Sequence, residues 1–221
     1  MSDFARYLPL SQGSRQPEPR VTGNWSSEIA VILEQVADLL DGLTPEQWES
    51  PSMCDRWRVR DVAGHFVWRL GSSTGRMMVT GSRAWFGKRL NPMDAIGDLS
   101  IQAAEASYED LVDRIREIAD DKRMGQGRGR ISELTESVVH AYDISHALGI
   151  DLQLDPRATG AVALARILVA PTPIKAVLRA RTLTATDADW KFGQGPALSG
   201  SASTLIQFLF GRRARPTLDP S

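Results

Sequence analysis

Apolar residues recur at helical spacing in four segments between residues 24 and 149. The first predicted helix covers 24–42, and either Asn24 or Ser26 can cap it. The second starts at 59–61 and runs through Leu70, with glycines that leave its downstream end open. Two amphipathic segments of this kind already favour a helical core.

The third and fourth helices have the same spacing. The third has an i, i+4, i+7 pattern made by Ala104, Tyr108, Leu111, Ile115 and Ile118. The fourth covers 132–148, and Gly149 is placed to end it as a carboxyl cap. Four helices joined in this way predict an antiparallel four-helix bundle.

The pattern differs at both ends of the chain. Residues 1–23 have prolines and polar side chains without periodicity, which predicts an amino-terminal arm. After residue 153 we expect a small α+β domain, 153–221, separate from the bundle at 24–152. Its predicted elements are a helix over 158–169, a strand over 181–187 that residues 190–192 continue, and a helix over 201–211.

Two connections in the bundle have unusual compositions. Residues 43–57 combine prolines with Trp48 and Trp57, which predicts an ordered connection held by aromatic burial. The run 121–130 is rich in glycine and arginine, but no strand precedes it and its spacing is not that of a nucleotide-binding loop. A flexible loop is favoured, although its arginines could contact an acidic substrate; these are Arg123, Arg128 and Arg130.

Composition narrows the classes of partner. The 221 residues include 26 basic and 27 acidic side chains, so no bulk positive charge points to nucleic acid. No apolar run has the length of a membrane span, and no apolar stretch typical of a signal peptide precedes the first helix. The single cysteine also fits a reducing compartment. We therefore expect a cytoplasmic protein with a small-molecule partner, and a homodimer is a hypothesis that the sequence leaves open.

Candidate chemistry lies on the fourth helix. Glu136 and His140 are four residues apart, so their side chains share one face, and Asp143 extends the stripe. A solvated polar face is the alternative interpretation. The helix is apolar around much of its circumference, and His65 borders the apolar row of the second helix, so the stripe can face a cavity. Two histidines and one carboxylate would then form a three-ligand metal site with an open position.

Two further residues are weaker candidates. His146 is six residues beyond His140, far around the helix, so we interpret it as structural or surface. Cys54 lies in a connection with no histidine nearby in sequence, so a catalytic thiol is disfavoured.

Three stretches together resemble a known family. Residues 43–65, 136–149 and 187–212 are similar to the signatures of the mycothiol-dependent maleylpyruvate isomerase family, within the DinB-like metalloprotein superfamily. The resemblance implies a mainly α fold: a DinB-like antiparallel four-helix bundle followed by a small α+β carboxyl-terminal domain. It also implies a divalent metal, commonly zinc, with His65, Glu136 and His140 as ligands, and mycothiol as the thiol cofactor.

The implied activity is isomerisation or thiol transfer on a small, acidic substrate. A metal-activated thiolate can add to an alkene and leave after bond rotation, or can displace a leaving group. Asp143 could orient a ligand histidine. The substrate carboxylate has three candidate partners, which are Arg69, Arg76 and Arg83.

A second hypothesis from another class is a non-catalytic protein that binds or sequesters a small molecule on the same scaffold. Aromatic residues near the presumed mouth of the bundle motivate it, together with the lack of an obvious general base; these are Trp68, Trp85 and Phe86. Tight binding without turnover and without a thiol effect would distinguish this hypothesis.

Overall fold

The chain forms a mostly helical fold with a small sheet near its carboxyl end. The computed structural model describes residues 23–55, 57–71, 92–212 and 217–218, and the side chains of 92–96 and 217–218 are not described. The chain divides into one unit made of Asn24–Leu152 and another that includes Gln153–Ser221. The mostly helical fold with a small sheet near the carboxyl end confirms the predicted fold class.

The first unit is a helical bundle. Its helices are α1 (Ser26–Asp41), α2 (Pro45–Trp48), α3 (Val59–Gly71), α4 (Pro92–Ala103), α5 (Tyr108–Arg123) and α6 (Ile131–Leu148). Helix α1 packs on α5 and α6, while α3 packs on α4, α5 and α6. The four long predicted helices are therefore present as α1, α3, α5 and α6, and their apolar rows meet in a shared core.

Local signals set the ends of two of these helices. Gly149 has φ of 67°, the left-handed conformation that favours glycine, and it ends α6 as predicted. The start of the third predicted helix was wrong. Ser107 caps α5 by accepting a hydrogen bond from the Asp110 amide, so the helix begins at Tyr108, and Ala104 lies in the turn before it.

The connection between α1 and α3 is ordered, as its two tryptophans predicted. Trp48 is buried and stacks on Tyr108 of α5 with 4.7 Å between ring centroids. Glu49 Oε1 accepts hydrogen bonds from Arg60 Nη1 at 2.7 Å and from the Tyr108 hydroxyl at 2.9 Å. Trp57 is turned towards the other side of the connection, where it contacts histidine rings.

The glycine-rich run at 121–130 is held in place by contacts with residues at the start of α1. The Trp25 amide donates to the Gly129 carbonyl at 2.7 Å, and a Cβ on Gly129 would lie 2.2 Å from Ser26 Oγ. Gly125 and Gly127 both have φ of 73°. The expectation of a flexible loop missed these contacts because they join segments about a hundred residues apart in sequence.

Helices α3 and α4 approach each other closely at one point. A Cβ on Gly64 would lie 2.4 Å from the Ser100 carbonyl oxygen, 2.6 Å from the Ala104 nitrogen and 2.8 Å from the Ala104 Cβ. Gly64 therefore sets the distance between the two backbones. The close approach brings the Ser100 side chain, which is fully buried, next to His65.

In its described residues, the second unit combines three helices with a four-stranded sheet. Its elements are α7 (Pro156–Leu168), α8 (Thr172–Ala180), β1 (Thr182–Ala185), β2 (Lys191–Gly193), β3 (Ala197–Gly200), α9 (Ala202–Leu209) and β4 (Thr217–Leu218). The strand order is β2-β1-β3-β4; β1 and β3 are parallel, and the outer pairs are antiparallel. In register, Leu183 lies opposite Phe192 on one side and Leu198 on the other. These side chains share a core with Trp190, Leu205 and Leu209.

Five elements were not predicted: strand β4, which lies beyond the last predicted helix, and four elements within predicted connections. Helices α2 and α4, strand β3 and helix α8 all lie where the sequence was interpreted as connection, and the predicted strand over 181–187 is shorter than expected. Within the described residues, no single helix has the length and apolar composition to cross a membrane; α7 and α8 meet such a test only as a pair, bent by 112°. Apart from Gly23, the predicted arm lies outside the described residues.

Candidate metal centre

The three candidate ligands from the sequence meet at one point between α3 and α6. Nε2 of His65 lies 3.2 Å from Oε2 of Glu136, and Nε2 of His140 lies 3.3 Å from the same oxygen. One donor atom from each of the three residues falls within 4.8 Å of the other two. The side chains of His65 and His140 are buried, whereas that of Glu136 is 30% exposed, so the cluster opens on the glutamate side.

The far nitrogen of each imidazole is also engaged. Nδ1 of His140 lies 2.9 Å from Oδ2 of Asp143, whose side chain is completely buried. An ionised carboxylate can only accept, so Nδ1 donates its hydrogen and Nε2 is turned towards the cluster. Nδ1 of His65 lies 3.0 Å from the Ser100 hydroxyl. Partners of this kind orient the imidazoles of metal sites.

Aromatic side chains pack against the two histidine rings of the cluster. The Trp57 ring lies 4.9 Å from the His65 ring and 5.8 Å from the His140 ring, measured between centroids. Phe66 meets His140 edge-on at 6.2 Å, and Trp68 lies 6.1 Å from His65. These rings keep water away from one side of the donors, which strengthens electrostatic interactions there.

The protonation of the cluster follows from burial and from the contacts within it. Burial alone would raise the pKa of Glu136, but hydrogen bonds from His140 and His65 outweigh it and lower that pKa. Burial likewise opposes charge on His140, yet its bonds with Asp143 and Glu136 raise its pKa above the ordinary value. For His65 burial dominates, and its pKa is lowered. Glu136 and His140 therefore favour each other's charged forms, whereas burial favours the neutral form of His65.

The donor set fits a divalent ion. Around a tetrahedral zinc ion with bonds of about 2.0 Å, neighbouring ligand atoms lie about 3.3 Å apart, which matches the two distances to Glu136 Oε2. Two imidazoles and one carboxylate are also a common set for zinc, with one position left for water or a thiol. The residues can therefore hold such an ion.

The other residues that the sequence suggested as histidine, arginine or aromatic candidates lie in different places. His146 lies away from the cluster, with its ring 6.4 Å from the Tyr142 ring. Arg69 lies at the rim, where its guanidinium contacts Glu133 and Glu136. Arg76, Arg83, Trp85 and Phe86 lie outside the described residues.

Sequence reasoning missed three residues that surround the cluster. Ser100 and Trp57 were not proposed as neighbours of His65, although an isolated tryptophan in a connection is a signal of burial. Cys54 has no histidine nearby in sequence, but in the structure its thiol, His140 and Asp143 form a compact group of donors. The Met53 amide donates to the Asp143 carbonyl at 3.0 Å, which fixes this connection against α6. No periodicity in the sequence reports such contacts.

The variant Asp143→Asn is expected to bind zinc about 10–100-fold more weakly. An amide lacks the negative charge that holds the Nδ1 hydrogen of His140, so the ligand loses basicity and orientation. Competition with a chromophoric zinc chelator measures the change, and near-ultraviolet circular dichroism checks that the variant is folded. A folded variant with unaltered affinity would show that the 2.9 Å contact does not tune the site.

Comparisons with known proteins show the family and the fold. The family model of the mycothiol maleylpyruvate isomerase N-terminal domain matches residues 29–145, more than half of the chain and the range that holds the cluster. The crystal structure of the mycothiol-dependent maleylpyruvate isomerase has a TM-score of 0.53 at 12% identity, covering 87% of this chain and 90% of that chain. A histidine-to-alanine mutant of that enzyme gives 0.52 at the same identity and coverage. At this identity the two structures show a shared fold. No curated protein matches the sequence significantly.

Proposed function

Because the chain belongs to the mycothiol maleylpyruvate isomerase family, we propose that it is a thiol-dependent metalloenzyme that acts on a small acidic substrate. Its reaction is isomerisation or thiol transfer, mycothiol is the thiol, and zinc is the metal that the donors fit best. Family membership supports the enzyme and the thiol. The metal centre is supported by one observation: a donor atom from each of His65, Glu136 and His140 lies within 4.8 Å of the other two.

The protein residues have separate roles in this proposal. His65, Glu136 and His140 hold the ion, while Asp143 and Ser100 keep the Nδ1 side of each imidazole engaged. When bound, the ion lowers the pKa of a coordinated thiol, so that a thiolate is present at neutral pH.

Charge and burial favour an anionic ligand at this centre. Two neutral imidazoles and one carboxylate leave a divalent ion with net positive charge, which attracts a thiolate or a substrate carboxylate. Glu136 is the partly exposed ligand, so the substrate approaches from its side, while the Trp57 ring packs against the two imidazoles. A thiol-dependent reaction fits a reducing compartment, and we place the enzyme in the cytoplasm.

The experiment that tests the proposal begins with metal content. Protein purified without chelator or metal-binding tag should contain about one divalent ion per chain by elemental analysis. The loaded protein should then isomerise maleylpyruvate, or a related cis-unsaturated acid, only when mycothiol is present. Turnover is measured with wild-type protein and with Glu136→Gln, which keeps the side-chain shape and removes the charge.

Two results would contradict the proposal. Protein that binds no zinc when offered an excess lacks the chemical centre. Tight binding of a small acid without turnover, unaffected by thiol, would instead indicate a binding or sequestering protein on the same scaffold.

A further inference from the structure

A second buried carboxylate lies one turn before the candidate ligand Glu136 on α6. Glu133 is only 2% exposed and receives several donors. Oε2 accepts from the Ser132 hydroxyl at 3.0 Å and from the Arg130 amide at 3.3 Å. Oε1 lies 3.3 Å from Nη1 of Arg69 and 3.5 Å from Nε of Arg128. A buried carboxylate with this many donors is a fixed anchor.

Arg69 joins this anchor to the metal cluster. Its Nη1 contacts Glu133, while its Nε lies 3.5 Å from Oε1 of Glu136. The other oxygen of Glu136, Oε2, is the one near both histidines. The guanidinium therefore touches the carboxylate oxygen that the histidines do not use.

The position of Arg69 is itself fixed. It lies in the last turn of α3, its side chain is 16% exposed, and its carbonyl accepts from Nη2 of Arg128 at 3.1 Å. A guanidinium is planar, so two of its nitrogens can face two carboxylates in a set geometry. An ammonium group is a single point of charge and cannot make the same bridge.

We propose that Arg69 is a positioning residue for the metal ligand Glu136, and that buried Glu133 anchors it. By holding Oε1, Arg69 leaves Oε2 as the single oxygen that faces the ion, which keeps the centre at three protein donors. The inference rests on the metal centre of the proposed function. It gives Arg69 a role in orienting a ligand, whereas the sequence had suggested a contact with the substrate carboxylate.

Substitution of Arg69 tests this role through the metal itself. The set is Arg69→Gln, Arg69→Lys and Glu133→Gln, with Arg116→Gln as the matched control, since Arg116 also bridges two carboxylates, those of Asp38 and Asp41, but on the surface. The two readouts are the zinc dissociation constant, from competition with a chromophoric chelator, and the visible spectrum of the cobalt-loaded protein. Circular dichroism checks folding.

We expect Arg69→Gln to weaken zinc binding about 10–100-fold. Glu136 can then turn both oxygens to the ion, so the cobalt absorption should fall as the coordination number rises. Glu133→Gln should change both readouts in the same direction, and it tests the anchor even where Arg69→Gln does not fold. Arg116→Gln should match the wild type.

The outcomes separate this inference from the proposed function. Arg69→Lys behaving like Arg69→Gln supports positioning by the planar group, whereas Arg69→Lys behaving like the wild type overturns it in favour of charge alone. Unchanged affinity and spectrum in folded Arg69→Gln and Glu133→Gln overturn the inference while the metal centre stands. A wild-type chain that binds neither zinc nor cobalt overturns both.

Discussion

Replacing His140 with alanine is expected to weaken zinc binding by more than about a hundredfold. Groups that merely orient a ligand are worth about 10–100-fold, and this substitution removes a donor together with the partner of Asp143. Only His65 and Glu136 would remain, and two donors hold zinc poorly at neutral pH. Zinc affinity is measured by chelator competition, and bound metal is counted after dialysis.

The same helix offers a control for this experiment. His146→Ala removes an imidazole six residues further along α6, where the ring contacts Tyr142 instead of the cluster. It should leave zinc affinity unchanged. Because His140→Ala also removes a contact of the completely buried Asp143, the partly exposed ligand is changed separately as Glu136→Gln. Normal zinc affinity in both folded ligand variants would remove these residues from the metal centre.

Replacing Gly64 with alanine is expected to destabilise the bundle by about 3 kcal/mol. The added Cβ would meet backbone atoms of Ser100 and Ala104 at 2.4 and 2.6 Å, and backbone cannot turn aside as a side chain can. Helix α4 must therefore move away from α3. Urea denaturation gives the free energy of unfolding from the midpoint and the slope.

The consequence for the cluster is a second readout of this variant. Ser100 lies 3.0 Å from Nδ1 of His65, so moving α4 separates the pair and should weaken zinc binding about tenfold. Gly97→Ala is the matched control, because among the described residues its Cβ would meet only Trp57 Nε1, at 4.0 Å, and alanine favours the helix by about 0.5–1 kcal/mol. If Gly64→Ala had the same free energy of unfolding as the wild type, α3 and α4 would be able to move apart without loss of stability.

The sequence predicted the parts of the fold that local patterns determine. Helices α1, α3 and α6 have apolar rows and end signals that can be read from neighbouring residues, as Gly149 shows. Glu136 and His140 share a helix face by spacing alone, and their contact with His65 was expected from the resemblance and from the apolar setting of the second helix. The structure brings these three side chains together.

Helices α4 and α8 lie where the sequence was interpreted as connection. Pro92 opens α4, and Pro173 lies in the first turn of α8, where proline is tolerated because the first amide groups of a helix have no partner within it. Ala104 fitted the spacing of the next helix, but the cap at Ser107 determines where that helix begins. The spacing of apolar residues alone did not show where these helices begin.

Contacts between segments that are distant in sequence were also not predicted. Ser100 reaches the cluster from α4, and Cys54 and Trp57 reach it from the connection before α3, and each contact depends on how the helices pack. Arg69 was noticed as a cation, but its bridge between Glu133 and Glu136 follows only from the arrangement of α3 against α6. The residue types were visible in the sequence, whereas their partners were not.

Because the candidate ligands are far apart in sequence, a bound ion would also stabilise the folded chain. His65 and Glu136 are 71 residues apart, so an ion bound to both closes a long loop of chain as a cross-link does. An ion that binds only the folded bundle raises its free energy of unfolding by about 2.7 kcal/mol at a hundred times the dissociation constant. An ion held by the proposed ligands would thus link α3 to α6 reversibly, and the concentration of free ion would change the stability of this helix pair.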